Sequence, residues 1–303
     1  MPSDLKLGID DYPMMVIDQF DIGFPFSRGI LASSILATGI ETPKAYIIAQ
    51  KIQDRLRKSN IQNISGKELT EMTVSVLKHE ISSEISQCYK HWQDIRNSGR
   101  PIIIALSAAS GIGKSTIATR LALRLGINRV ITTDSLREVL RTVIPNTVLP
   151  ELHVSTFESL PRILSESHIS TFQRQSHAVE AACVAVSKRY IMEKKNIIIE
   201  GVHLLPGELS KQLGALKDRP IVVELFLSLS NEEQHRSQLI HRSTNESSRK
   251  GDRNIKNFDA IRSIQTYLKD MALQNNIQEY DLEDNEDLTK KVVTLIINKS
   301  NES

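Results

Sequence analysis

Residues 105–126 read ALSAASGIGKSTIATRLALRLG. A hydrophobic run leads into small residues, then Gly111, Gly113, Lys114, Ser115 and Thr116, then an apolar pattern of helical period. Such a stretch can hold phosphate. Glycines between a strand and a helix let the chain curl until several main-chain N–H groups face one anion, and the helix N-terminus adds the positive end of its dipole. A lysine at the helix start reaches the terminal phosphates of a nucleotide such as ATP, and the hydroxyl after it ligates Mg2+. Lys114 and Ser115 fill those places, and Ser110, Gly111, Ile112, Gly113 and Thr116 complete the candidate cradle. The pattern G-x-x-x-x-G-K-[S/T] is met as AASGIGKS, with Ala108 in place of the first glycine. The plain alternative is a glycine turn beside a solvated lysine; the strand–turn–helix order argues against it. Lys114 is expected to face solvent.

Acidic and basic residues elsewhere suit an acceptor. Asp134, in VITTDSLREVLR, falls where a second strand turns into a helix. A carboxylate there can orient an acceptor hydroxyl and take its proton, or hold Mg2+ through water. It can equally cap the helix. Arg137 and Arg141 are four apart on that helix and could grip an anionic group, or lie on a solvated face beside Glu138. Glu200, in NIIIEGVHLLPG, is a second carboxylate at a strand end and a candidate for Mg2+ through water. His203 follows it, either as a loop cap or as a ligand for the acceptor's phosphate or carboxylate. Arg174 and Gln175 open a later helix and could reach the acceptor. The segment 235–258 carries Arg236, Arg242, Arg249 and Arg253. It reads as a lid that brings arginines, Arg242 and Arg249 foremost, over a transferring phosphoryl group.

These side chains need a scaffold that gathers strand ends. From residue 101 onward, β-branched runs at PIIIALSA, RVITTD, NIIIEG, PIVVELFLSL and IQEYDL alternate with helical segments. Near-continuous apolar strands separated by helices form a parallel sheet covered on both faces. Ligands of such sheets sit beyond the carboxyl ends of the strands. The fold class is therefore α/β. Residues 1–96 differ: SRGILASSILATG and PKAYIIAQKIQDRLRK read as amphipathic helices, and a third helix is expected over 65–97 with a capping box at Ser65 and Glu68. NSGRP at 97–101 breaks the pattern, giving a small, mainly helical domain over 1–96 and a larger domain over 97–303. The tail NKSNES is expected to be disordered.

Of the 303 residues, 40% are hydrophobic and 24% charged, with a formal net charge of +2. That balance gives nucleic acid no electrostatic footprint. The two cysteines, Cys88 and Cys183, match no metal-binding spacing. No apolar run approaches the roughly 18 residues of a membrane span, so the expected location is cytoplasmic.

SGIGKSTIA, TTDSLREVLR, FQRQ, IIIEGVHLLPG and IRSIQTYL, spread over about 107–268, together resemble the archaeal 2-phosphoglycerate kinase family. The resemblance implies transfer of the ATP γ-phosphoryl group to the 3-hydroxyl of 2-phosphoglycerate, with ATP at Gly111–Thr116. It places acceptor chemistry around Asp134, Arg137, Glu200 and His203. Domains that resemble this one also occur in proteins linked to inositol phosphate metabolism, so another phosphorylated acceptor stays open, as does an ATP-responsive regulatory ATPase. FPFSRGILASSILATGIETPKAYIIAQKIQDRL resembles an ATP-cone, a small regulatory nucleotide-binding module. Asp18 and Asp21 stand where that family carries basic residues. A nucleotide-binding cone and a purely structural or dimerising one, which would make the protein a homo-oligomer, both stay open.

Overall fold

The computed structural model describes residues 14–17, 22–158, 167–245, 255–284 and 287–302, the side chains of 242–245 excepted. Asp18, Asp21, Arg249, Arg253 and the side chain of Arg242 lie outside the described residues, and with them most of the expected lid. The described residues through Ser98, with Arg124–Gly126, form one compact unit; Gly99–Leu123 and the residues from Ile127 onward form another.

The first unit contains strands β1 (Met15–Ile17), β2 (Gly23–Pro25) and β3 (Asn63–Ser65) and helices α1 (Arg28–Leu36), α2 (Thr42–Lys58), α3 (Gly66–Glu80) and α4 (Ser83–Asn97). The strands form a sheet of order β2-β1-β3, with β1 antiparallel to β2 and parallel to β3. Local sequence sets the helix ends. Ser27 caps α1 by accepting from the Ile30 N–H, Gly39 leaves it at φ 83°, and Pro43 occupies the first turn of α2. The capping box forms in both directions between Ser65 and Glu68. The single third helix expected over 65–97 is instead two. Ile81 leaves helical geometry (φ −124°, ψ −80°), and Ser82 caps α4 by accepting from the Ile85 N–H. A serine in extended geometry satisfies the first free donors of a new helix, so ISS ends one helix and starts the next. Ile35, Ala49, Ile52, Leu56, Val76 and Leu77 form this unit's core.

The second unit runs β4 (Ile102–Ala108), α5 (Lys114–Leu125), β5 (Val130–Thr132), α6 (Thr133–Val143), a 3-10 turn (Pro150–His153), α7 (His168–Met192), β6 (Ile197–Gly201), α8 (Glu208–Leu213), β7 (Ile221–Ser228), α9 (Glu232–Asn245), α10 (Phe258–Gln274), β8 (Gln278–Asp281) and α11 (Leu288–Asn301). All five expected strands are present, in one parallel sheet of order β5-β6-β4-β7-β8. Every residue of β4, β6 and β7 is buried, as unbroken apolar strands require when both faces are covered. One apolar cluster joins Ile103, Ile197 and Ile199 of the sheet to Val179 and Cys183 of α7 and to Leu209 of α8. Another joins Phe226 to Phe172 of α7, Leu239 of α9 and Ile261, Ile264 and Leu268 of α10. The tail expected to be disordered continues α11 as far as Asn301.

Register is what positions chemistry. Glu200 on β6 pairs with Leu106 on the glycine-turn strand β4 and with Thr132, the last residue of β5. Three strand ends therefore meet on one edge with Glu200 between the other two.

Candidate active site

The glycine-rich turn has the backbone its residues suggest. Gly111 and Gly113 take φ of 91° and 81°, a region that costs glycine little and other residues more. At Gly111 space is lacking as well: an added Cβ would lie 2.6 Å from Leu239 Cγ. Ile112 between them is buried and anchors the loop. Lys114 opens α5 but does not face solvent as expected; it is only 7% exposed. Among the described residues no carboxylate forms an ion pair with it. Thr116 and Ser115 are exposed on the first turn of α5.

The Ser115 hydroxyl donates to Glu200 Oε1 at 2.6 Å. Glu200 is 1% exposed, and its Oε2 is buried without a partner among the described residues. A buried carboxylate oxygen with nothing to bind is costly. The pair therefore presents a hydroxyl and a carboxylate, hard oxygen donors, at the mouth of the turn. These donors fit Mg2+, which takes one or two protein oxygens and completes its shell with phosphate and water.

Asp134 lies in the first turn of α6, just past the end of β5. It is not the helix cap: Thr132 holds that role, accepting from the Ser135 N–H. The Asp134 side chain is 64% exposed and lies 3.9 Å from His203 Nδ1. Its approach depends on Gly201, where an added Cβ would sit 2.6 Å from Thr133 Cβ and closer still to the hydroxyl. Only a residue without a side chain lets the start of α6 close on β6.

His203 is not an acceptor ligand. It is fully buried, and both ring nitrogens are spent. Gln175 fixes the tautomer. Its amide nitrogen donates to the carbonyls of Glu151 and Val154, so its Oε1 faces His203 Nε2 at 2.9 Å and accepts from it. Nδ1 must then accept, and the Thr133 hydroxyl donates to it at 2.9 Å. Burial holds the imidazole far below its ordinary pKa, against the opposing pull of Asp134.

The arginines near the acceptor edge are also committed. Arg137 donates through Nε to the Leu152 carbonyl at 3.0 Å and through Nη2 to that of Val154. The fork expected for an acceptor anion is thus filled by main chain, and Arg137 braces the 3-10 turn. Arg141 pairs through Nη1 with Glu138 at 2.8 Å, and its Nε is buried without a partner among the described residues. Arg174 lies two turns into α7, not at its start, and pairs with the buried Glu151 at 2.5 Å. Thr133, Glu151, His235 and Leu239 escaped the sequence reading. Thr133 and Glu151 act through contacts distant in sequence. The spacing of His235 and Leu239, four apart on α9, was a signal that they share a face.

No protein-family model matches the chain. Curated relatives do. The 2-phosphoglycerate kinase of Methanopyrus kandleri is 35% identical over 280 residues, 91% of this chain and 84% of that protein. Its counterpart from Pyrococcus horikoshii is 34% identical over 94% of both chains, and that of Methanocaldococcus jannaschii is 36% identical over 84% and 81%.

Proposed function

The chain belongs to the 2-phosphoglycerate kinase family, and from that premise we propose that it transfers the γ-phosphoryl group of ATP to the free hydroxyl of 2-phosphoglycerate. The observation that carries the reading is the shared edge of β4, β5 and β6. There the glycine-rich turn, the Ser115–Glu200 pair and Asp134 meet on the side where parallel sheets bind ligands.

In this reading the N–H groups at 111–116 and the Lys114 ammonium hold the β- and γ-phosphates. Ser115 and Glu200 would hold Mg2+, which when bound neutralises charge on those phosphates. The Asp134 carboxylate orients the acceptor hydroxyl and takes its proton as the oxygen attacks phosphorus, and the bond from phosphorus to the bridging oxygen of ADP breaks. The structure supports Asp134 in this role through its exposure at the strand end and its freedom from capping. Phosphoryl transfer needs mainly such positioning and electrostatics. The same proposal assigns catalysis to residues 97–303 and keeps the cone-like residues 1–96 outside the reaction.

Incubation of the protein with Mg2+, ATP and 2-phosphoglycerate, followed by phosphorus NMR, tests it. The expected result is ADP and 2,3-bisphosphoglycerate in equal amounts. Turnover of an inositol phosphate but not of 2-phosphoglycerate would replace the acceptor. ATP hydrolysis independent of any acceptor would replace the reaction.

A further inference from the structure

Helix α9 leaves the carboxyl end of β7 and crosses behind the glycine-rich turn. Two of its residues, one turn apart, meet that turn. His235 is fully buried, and its Nε2 lies 2.8 Å from the Ser110 carbonyl oxygen. A carbonyl can only accept, so Nε2 carries the proton. Leu239 fills the space beside Gly111 that a side chain there would need. The imidazole is itself held: the Phe258 ring of α10 stands edge-on to it, with centroids 5.4 Å apart and planes at 69°. The corner before α9 is fixed too. Arg262 donates to the Leu229 carbonyl at 2.7 Å, and Asn231 Oδ1 accepts from the Gln234 N–H at 3.0 Å.

A peptide group is planar, and in its trans form the C=O and N–H point in opposite directions; none of the described peptide bonds is cis. Pinning the Ser110 carbonyl to α9 therefore aims the Gly111 N–H away from α9. That N–H belongs to the cradle. An anion-binding loop works best when its N–H groups are aimed before the ligand arrives, because no reorganisation is then needed on binding. Glycine at 111 removes the steric brake on this peptide, so a restraint from outside the loop is needed to hold it.

We infer that His235 is a positioning residue for nucleotide binding: through the Ser110 carbonyl it fixes the Ser110–Gly111 peptide so that the Gly111 N–H faces phosphate. The inference rests on the reading of 110–116 as the ATP site. It also ties α9, which leads into the arginine-rich segment, to the glycine-rich turn.

The test compares Mg2+–ATP affinity, both Michaelis constants and thermal stability in the wild type, His235→Phe and His235→Gln. Phenylalanine keeps an aromatic ring against Phe258 and loses the donor; glutamine keeps an N–H donor. His235→Phe should weaken ATP binding about tenfold, the scale of one buried hydrogen bond, and leave the 2-phosphoglycerate KM within about twofold. His235→Gln should recover most of the ATP affinity. His235→Met supplies the donor-less arm if the phenylalanine variant does not fold. A folded donor-less variant with wild-type ATP affinity would overturn the role of His235, as would equal losses in the glutamine and donor-less variants. Wild-type protein that binds no ATP would overturn the nucleotide reading itself, and the inference with it.

Discussion

The Thr133 hydroxyl donates to Nδ1 of His203 at 2.9 Å. This bond ties the first residue of α6 to the loop after β6, and the ring's other nitrogen ties that loop to Gln175 on α7. Asp134 follows Thr133 directly, so the carboxylate assigned to the acceptor hydroxyl is placed through a buried, neutral imidazole that touches no substrate.

That neutrality gives a pH signature. The unfolded chain's histidine titrates near 6.5, whereas burial holds His203 down to about 3. Between these values the unfolded state binds the extra proton, so this residue's contribution to stability is present above pH 6.5 and is lost as pH falls. The limiting slope is about 1.4 kcal/mol per pH unit. His203→Gln should be less stable than wild type at pH 7, and the gap should narrow steadily from pH 6.5 downward in denaturant titrations. A gap constant with pH would show that His203 does not stay neutral in the fold.

Gly201→Ala is expected to be the most damaging single methyl in the site. The added carbon would overlap the Thr133 side chain, which has no room to move because its hydroxyl is held by His203. Overpacking of this kind costs about 1–3 kcal/mol, and here it also pushes α6 off β6. Gly201→Ala combined with Thr133→Ser, which removes only the methyl, should not restore stability, because the hydroxyl is the nearest atom. Thermal unfolding of both variants decides it.

Much of this was legible in the chain. AASGIGKS between an apolar strand and a helix marks the candidate phosphate loop, and NIIIE and VITTD mark Glu200, one residue before the end of β6, and Asp134, two residues past the end of β5. What could not be read was which polar groups find each other. Arg137 looked like an anion fork; its partners are carbonyls 15 and 17 residues away. His203 reads from sequence as a loop cap or a ligand; bonds to Thr133 on α6 and Gln175 on α7 make it a brace between them. Sheet order, too, is a property of tertiary packing, and only the order puts Glu200 between the glycine turn and Asp134. In the first unit, strands of three residues are too short to show alternation, and the helix break at Ser82 hid inside a continuous apolar period.

A second buried group works in the opposite pH direction. Glu180 on α7 is nearly inaccessible, and its Oε1 has no partner among the described residues. Burial, with Glu208 and Glu224 nearby, pushes its pKa from 4.5 up to about 8. The folded state therefore holds a proton that the unfolded state has lost, and stability erodes as pH rises from 4.5 through 8. Glu180→Gln should match wild type within about 1 kcal/mol near pH 4.5 and exceed it by about 1–3 kcal/mol at pH 8. Between pH 4.5 and 6.5 this slope opposes that of His203, so the wild-type profile there should be flatter than that of either variant. A Glu180→Gln variant no more stable than wild type at pH 8 would show that the carboxyl ionises in the fold at little cost.

The two strand-end carboxylates should separate in kinetics. Asp134 is exposed and has no partner in the cap of α6, so Asp134→Asn removes a charge and leaves the fold and the ATP site untouched. If it takes the acceptor proton, kcat should fall by about 10²–10⁴-fold, the range for a positioned base, with ATP affinity within about twofold. Glu200 is buried beside Ser115, so Glu200→Gln keeps the hydrogen bond and loses only the charge offered to Mg2+. Its effect should appear as a higher Mg2+ concentration for half-maximal rate, partly relieved by Mn2+, which shares the preference for oxygen donors. Stability distinguishes the pair further. Removing a buried, half-satisfied charge should leave Glu200→Gln as stable as wild type or more so in the absence of metal, whereas Asp134→Asn should not move the melting temperature. Loss of ATP affinity in Asp134→Asn, or an unchanged Mg2+ requirement in Glu200→Gln, would exchange or abolish the roles given to these two residues.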